Sequence, residues 1–288
     1  MLGHKVFQAA VRKYPLVTGT LRKRVGDYPA GGIPEFQSGH LIEGCDVMDL
    51  LSVDAILEQL RPEVVVNCVG VIKQRSASQQ AVPSITINSL LPHRIATRLA
   101  ELGGRLVHIS TDCVFDGQRG NYTEEDIPNA SDLYGRTKAL GEVVSSNSVT
   151  LRTSIIGREL TSHQSLLDWF LSRNHSTVPG YVNGWWSGVT SNYLADLILS
   201  LVEKHPGLSG LYHVSSGRIS KFALLKLLRD AYGLDVNVEA DESSVLDRSL
   251  LGAKLENAIG HECPTWSTLL SQLVNDPTPY PVPRAMSA

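Results

Sequence analysis

STDCVFDGQRGNYTEEDIPNASDLYGRTKALGE, residues 110–142, is the stretch from which the fold can be read. It begins at the end of an apolar segment, RLVHIST (105–111), passes through a polar, turn-rich loop, and enters a helix expected over 132–146. Tyr134 and Lys138 stand four residues apart near the start of that helix, a spacing that puts both side chains on one face. An ammonium beside a phenol favours the phenolate and is expected to lower the tyrosine pKa. Such a tyrosine can exchange a proton with a neighbouring oxygen near neutral pH. Of nine tyrosines, only Tyr134 has a lysine four residues later. A surface tyrosine beside a solvated lysine would give the same spacing, so the surroundings decide. Ser110-Thr111-Asp112 closes the preceding strand, where the Thr111 hydroxyl can orient a reacting oxygen. A plain helix cap is the other reading of that tripeptide.

Outward from this stretch the pattern alternates. Apolar runs at 16–21, 64–70, 105–111 and 148–156, with a shorter one at 40–47, read as strands. Helices are expected from the start to about Tyr14 and over 48–60, 84–102 and 132–146. Near-continuous apolar strands separated by helices describe a parallel sheet covered on both faces, an α/β doubly wound fold of the Rossmann-like kind. Ligands of such sheets bind at the carboxyl ends of the strands. Beyond 157 the rhythm changes. Helices are expected at 164–173, 191–204, 219–232 and 265–274, and short strands at 211–215 and 236–240. The organisation expected is a dinucleotide-binding domain over 1–156 and a smaller mixed substrate region over 157–275, partly interleaved with it. A Pro-rich tail over 276–288 is expected to be disordered.

Composition removes several classes. The formal net charge is −3, with no basic stripe to mark a nucleic-acid partner. No apolar run reaches the roughly 20 residues needed to span a bilayer. Cys45, Cys68, Cys113 and Cys263 are scattered without a C-x-x-C pair, so neither a zinc site nor a disulfide framework is expected. These features point to a cytoplasmic protein.

The chain resembles the extended short-chain dehydrogenases/reductases, most closely their dTDP-4-dehydrorhamnose reductase branch. The motifs that carry the resemblance are S-T-D-x-V-F-x-G, G-x-Y-x-E-x-D and Y-G-x-T-K-x-x-G-E within 110–142. The resemblance implies Thr111, Tyr134 and Lys138 as catalytic residues. It also implies cofactor contacts at Leu2 and Gly3, at Asp46 and Val47, and at Cys68, Val69 and Gly70, besides Tyr134 and Lys138. Leu151-Arg152-Thr153-Ser154 resembles the strand whose end approaches the nicotinamide. Arg22-Lys23-Arg24 follows the strand that faces the adenosine ribose in this fold. Arg22 there suits the extra phosphate of NADPH, with NADH as the alternative. Thr111, Asp112, Trp185 and Trp186 are the candidate substrate contacts. The paired tryptophans read equally well as stacking surfaces or as core.

The activity implied is reduction of a nucleotide-linked 4-keto-deoxysugar for polysaccharide or O-antigen synthesis, with a homodimer as a candidate assembly. An epimerase on the same scaffold is the rival within enzymes. Cys113 stands where dehydratases of this kind carry a glutamate, which favours a reductase. A non-catalytic regulatory or binding subunit is the rival from another class. The resemblance also implies a first strand and a G-x-x-G-x-x-G turn, of which only the last glycine, Gly3, is present. That missing strand would lie mid-sheet, and the expectation is a natural start about a dozen residues upstream of Met1.

Overall fold

The structure, a computed structural model, describes residues 1–28, 33–38, 40–71, 80–161 and 164–280. Its centre is a parallel ladder of β3 (Val64–Asn67), β4 (Arg105–Thr111), β5 (Ser148–Thr153) and β9 (Gly210–His213), in that order. Val66 pairs with Val107, and Thr111 with Thr153. A second parallel pair, β1 (Thr18–Thr20) and β2 (His40–Ile42), forms a separate ladder.

Strand alternation covers both faces of the main ladder. Leu106 and Val65 turn to one side, against Val53 and Leu57 of α3 (Leu50–Leu60) and Ile95 and Leu99 of α5 (Leu91–Leu102). Val64, Val66 and Val107 turn to the other, joining α1 (Leu2–Val11) and α8 (Ser191–Lys204). Leu194, Ile198 and Leu201 of α8 are essentially inaccessible, and each such side chain contributes about 1.5–3 kcal/mol through burial. The doubly wound α/β fold expected from the pattern is therefore present, with α8 and β9 from the second half completing it.

The second half also builds a mixed sheet of β10 (Ile219–Ser220), β7 (Ser176–Trp186) and β11 (Val236–Asp247). β7 was not expected, and β11 continues well past the expected 236–240 through a register shift between Asp241 and Val245. α9 (Lys221–Tyr232) covers the sheet, while α10 (Ala253–Ile259) was not expected. Gly180 and Gly184 interrupt the apolar pattern of β7 and hide it from a periodicity argument.

The helix expected over 132–146, α6, spans only Leu133–Leu140. A Cβ on Gly141 would lie 1.8 Å from the Asn88 carbonyl oxygen, so the chain leaves the helix by a close backbone contact that only glycine permits. The tail is a further correction over its first five residues. Asp276 accepts from Lys5 Nζ at 2.9 Å, Gln8 donates to Thr278 at 3.1 Å, and the Tyr280 hydroxyl lies 2.8 Å from His4 Nε2. These contacts satisfy the polar side of a helix whose Leu2, Val6 and Phe7 are buried elsewhere. Residues 281–288 lie outside the described residues. Among the described residues no helix is long and apolar enough to cross a membrane.

Candidate active site

The site is built at the carboxyl end of β4. Thr111, the last residue of that strand, caps a short 3-10 turn, Asp112–Val114, by accepting from the Cys113 amide at 3.1 Å. Its hydroxyl also donates to the Asp112 carboxylate at 3.1 Å and is hydrogen-bonded with the Tyr134 phenol. Asp132 caps α6 by accepting from the Gly135 amide at 2.9 Å. Gly135 then packs so closely that a Cβ would come within 2.3 Å of the Cys113 carbonyl oxygen. This contact seats the first turn of α6 on the 112–114 turn, and so sets Tyr134 beside Thr111.

Lys138, one turn further, is buried and donates to the Ile109 carbonyl at 2.7 Å. Burial lowers its pKa to about 8, against an opposing pull from Glu142. Tyr134 moves the other way from the sequence expectation. Burial raises its pKa, with Cys113 adding to the rise, and the bond to Thr111 only partly offsets this. The spacing places the lysine on the right face, but its ammonium is bound to a backbone carbonyl and the phenol is withdrawn from water. Desolvation therefore outweighs the expected lowering.

The structure brings some of the remaining candidates together. Gly3, in the first turn of α1, is near Cys68 at the end of β3, since a Cβ there would lie 3.7 Å from the Cys68 Cβ. Leu2 is core. Burial pushes the Cys68 thiol up to about 12. Val69 and Gly70 are exposed just beyond β3, and the Val69 amide is anchored by Asn67 at 3.1 Å. Arg22 is exposed after β1. Asp46 is exposed and turns its carboxylate back to the Met48 amide at 3.1 Å, while Val47 packs against the α3–α5 cluster. A dinucleotide fits this edge chemically. The first turn of a helix, two strand ends with exposed backbone, an exposed arginine and a buried lysine are the partners that pyrophosphate and ribose require.

The tryptophan pair divides. Alternation along β7 sends Trp186 inward, where it is 3% exposed and packs on Trp266 with ring centroids 5.4 Å apart. Trp186 is therefore core rather than a free stacking surface. Trp185 is half-buried, with the Arg218 guanidinium 3.8 Å from its ring centroid.

Three residues were missed. Lys221 opens α9 and holds its ammonium 3.7 Å from the Trp186 ring centroid. Arg248 follows β11, donates to the Phe115 carbonyl at 2.9 Å and reaches Cys113 Sγ at 3.8 Å. Burial raises the Asp112 pKa, and these two cations, Arg248 then Lys221, oppose the rise. Burial lowers Lys221 to about 8. Asn88 is the third. It bonds both polar groups of the Val71 backbone, at 2.9 and 3.3 Å, and donates to the Thr137 hydroxyl at 3.3 Å, tying the segment after β3 to α6. It lies on the buried side of a π-turn over Ile85–Leu90, and nothing in the sequence separates it from the neighbouring Thr86 and Ser89. Lys221 and Arg248 carry no local signal, because both lie over a hundred residues from Thr111.

The profile of the family described as RmlD substrate binding domain matches residues 2–277. The methionine adenosyltransferase 2 subunit beta of Xenopus tropicalis is 26% identical over 204 residues. The match covers 67% of this chain and 61% of the relative, so this chain spans under two thirds of its length. A dTDP-4-keto-6-deoxy-D-glucose reductase of Streptomyces niveus is 29% identical over 199 residues, covering 66% of this chain and 68% of that one. The crystal structure of a dTDP-4-dehydrorhamnose reductase from Bacillus anthracis, in complex with NADP, superposes with a TM-score of 0.73 at 20% identity. That superposition covers 90% of this chain and 98% of the other.

Proposed function

The chain belongs to the RmlD substrate binding domain family, and from that premise we propose that it is a nicotinamide-dependent reductase of a nucleotide-linked 4-keto-deoxysugar, acting in the cytoplasm. The observation that carries this reading is the placement of Tyr134 beside Thr111, with Lys138 one helical turn away under the end of β4. Leu2, Gly3, Arg22, Asp46, Val47, Cys68, Val69, Gly70 and Lys138 are the proposed cofactor contacts. Arg22 favours NADPH over NADH, and the Bacillus anthracis neighbour was crystallised with NADP. When bound, the reduced nicotinamide supplies the hydride.

The protein's own residues do the rest. Thr111 holds the keto oxygen in line with Tyr134. Tyr134 is protonated at neutral pH, because burial raises its pKa, and its phenol gives a proton to the oxygen as negative charge develops there. The Lys138 ammonium stabilises the phenolate left behind. Asp112 and Trp185 are the proposed substrate contacts from the strand ends. The test is consumption of NADPH in the presence of a dTDP-linked 4-keto-6-deoxyhexose, followed by the loss of reduced-nicotinamide absorbance. Turnover that requires both compounds supports the reading. No turnover, with the protein folded and NADPH bound, sinks it.

A second reading is a non-catalytic subunit, favoured by the similarity to methionine adenosyltransferase 2 subunit beta. It predicts a stable complex with a catalytic adenosyltransferase subunit in co-purification, and indifference to replacement of Tyr134.

A further inference from the structure

Among the residues of the 110–142 stretch that this chemistry does not use are Tyr122, Glu124 and Glu142. Glu142 meets Arg152 of β5 directly, and Tyr122 and Glu124 meet His213, which lies against Arg152. The Arg152 guanidinium grips Glu142 through two bonds, Nε to Oε1 and Nη2 to Oε2, each 2.7 Å. Both side chains are almost wholly buried, at 3% and 7% exposed. Ser110, next to Thr111, donates to the same Glu142 carboxylate at 2.7 Å. On its far side Arg152 Nη1 lies 3.3 Å from His213 Nε2, and His213 Nδ1 lies 3.2 Å from the Tyr122 carbonyl. Burial, then Arg152, hold His213 down at about 4. It is therefore neutral, accepting from Arg152 through Nε2 and donating to Tyr122 through Nδ1. The Glu124 carboxylate accepts from the His213 amide at 2.7 Å, and the Tyr122 ring stacks on Phe115 at 4.0 Å.

A buried ion pair adds little net stability over apolar residues of the same volume. Stability alone therefore does not account for this one. Its placement does. Glu142 is four residues beyond Lys138, and α6 breaks at Gly141 so that the chain turns inward to Arg152.

We propose that Glu142, clamped by Arg152 and Ser110, is the positioning residue of the site: it anchors the end of α6 that carries Lys138 and places a negative charge beside the Lys138 ammonium. This rests on the reading above for its consequence in turnover, though not for its effect on Lys138. Two titratable groups interact with that ammonium, Glu142 beyond α6 and His108 on β4, and His93 on α5 acts in turn on His108. His108 is neutral, since burial first and Lys138 second drive its pKa well below the ordinary value. Burial lowers Lys138 itself to about 8, and Glu142 works against that fall.

The test is an NMR titration of the Lys138 side chain in lysine-labelled full-length protein, its signal assigned by its loss in Lys138→Met, run beside the pH profile of kcat. The midpoint for the unaltered chain is expected near 8. Glu142→Gln should lower it by about one pH unit, and the alkaline fall in kcat should move with it. Glu142→Gln leaves a buried cation unpaired and can prevent folding, so Glu142→Gln/Arg152→Met, which removes both charges, is the second variant. It should show a smaller downward movement, because loss of the Arg152 cation partly offsets loss of the Glu142 carboxylate. A folded variant with an unchanged midpoint overturns the proposal, as does a midpoint that moves while the kcat profile stays fixed. If the unaltered chain turns over no sugar nucleotide, the reductase reading fails, and the titration alone decides the role of Glu142.

Discussion

Thr111, Asp112, Tyr134 and Lys138 come from one stretch of chain, a strand end and the helix that follows it. Lys221 and Arg248, which meet that stretch at Asp112 and Cys113, and Trp186, which packs under Lys221, come from three elements spread over the second half. The first wall is held by local devices, the Thr111 and Asp132 caps and the tight Gly135 contact. The second depends on the pairing of β7 with β10 and β11. A wall made locally can be rigid before the rest of the molecule forms. A wall made of distant elements can differ between relatives without disturbing the chemistry. The division suits the proposed reductase if its reaction is constant and its substrate varies.

If the first wall is the reactive one, Tyr134→Phe should lower kcat about 10³- to 10⁴-fold while NADPH affinity changes little. Stopped-flow turnover with a parallel binding titration measures both, and a loss under tenfold would remove the distinction between the walls. If the second wall is structural at Trp186 and open at Trp185, truncation should separate them. Trp186→Ala should cost about 3–5 kcal/mol in denaturant unfolding, and Trp185→Ala about 1 kcal/mol or less. Equal costs would mean that both rings are core.

Contacts between the chain ends extend the comparison to a long-range ion pair. Burial works to raise the Asp276 pKa. Hydrogen bonds from Thr278 and Lys5, then Asn192, and the Lys5 charge overcome it and hold the carboxyl at about 2, against 3.8 for the free group. The depressed value means that this stabilisation is complete above about 4 and is lost as pH falls through about 2. Asp276→Asn should therefore cost about 2 kcal/mol at neutral pH and almost nothing near pH 2. Thermal unfolding across that range checks it, and a pH-independent cost would exclude the charge as the source. On turnover, the smaller effect is expected at Lys221. Lys221→Met should raise KM for the nucleotide sugar about tenfold, some 1.4 kcal/mol, with kcat within about twofold. A fall in kcat with KM unchanged would move Lys221 into the reactive wall.

The parallel ladder, its flanking helices and the Tyr134–Lys138 face were legible from residues alone, because each depends on neighbours within a few positions. Hydrophobic runs name strands, a cap and a glycine bound a helix, and a four-residue spacing defines a face. The titration of the pair was not legible in this way. The expected lowering of Tyr134 considered the lysine and left out desolvation, which only the packed fold sets. β7 escaped because glycines break its pattern, and the order of 276–280 because its partners lie on α1.

Tertiary structure likewise decided that Trp186 is core, that Lys221 and Arg248 converge on Asp112, and that Glu142 turns back to Arg152. The sequence by itself determined the class of fold and the residues at the end of β4, since local propensity and periodicity are written in consecutive positions. Which charges are buried, which are paired and what faces the Tyr134 phenol were decided by the fold, because desolvation and ion pairing depend on distances that chain order does not contain.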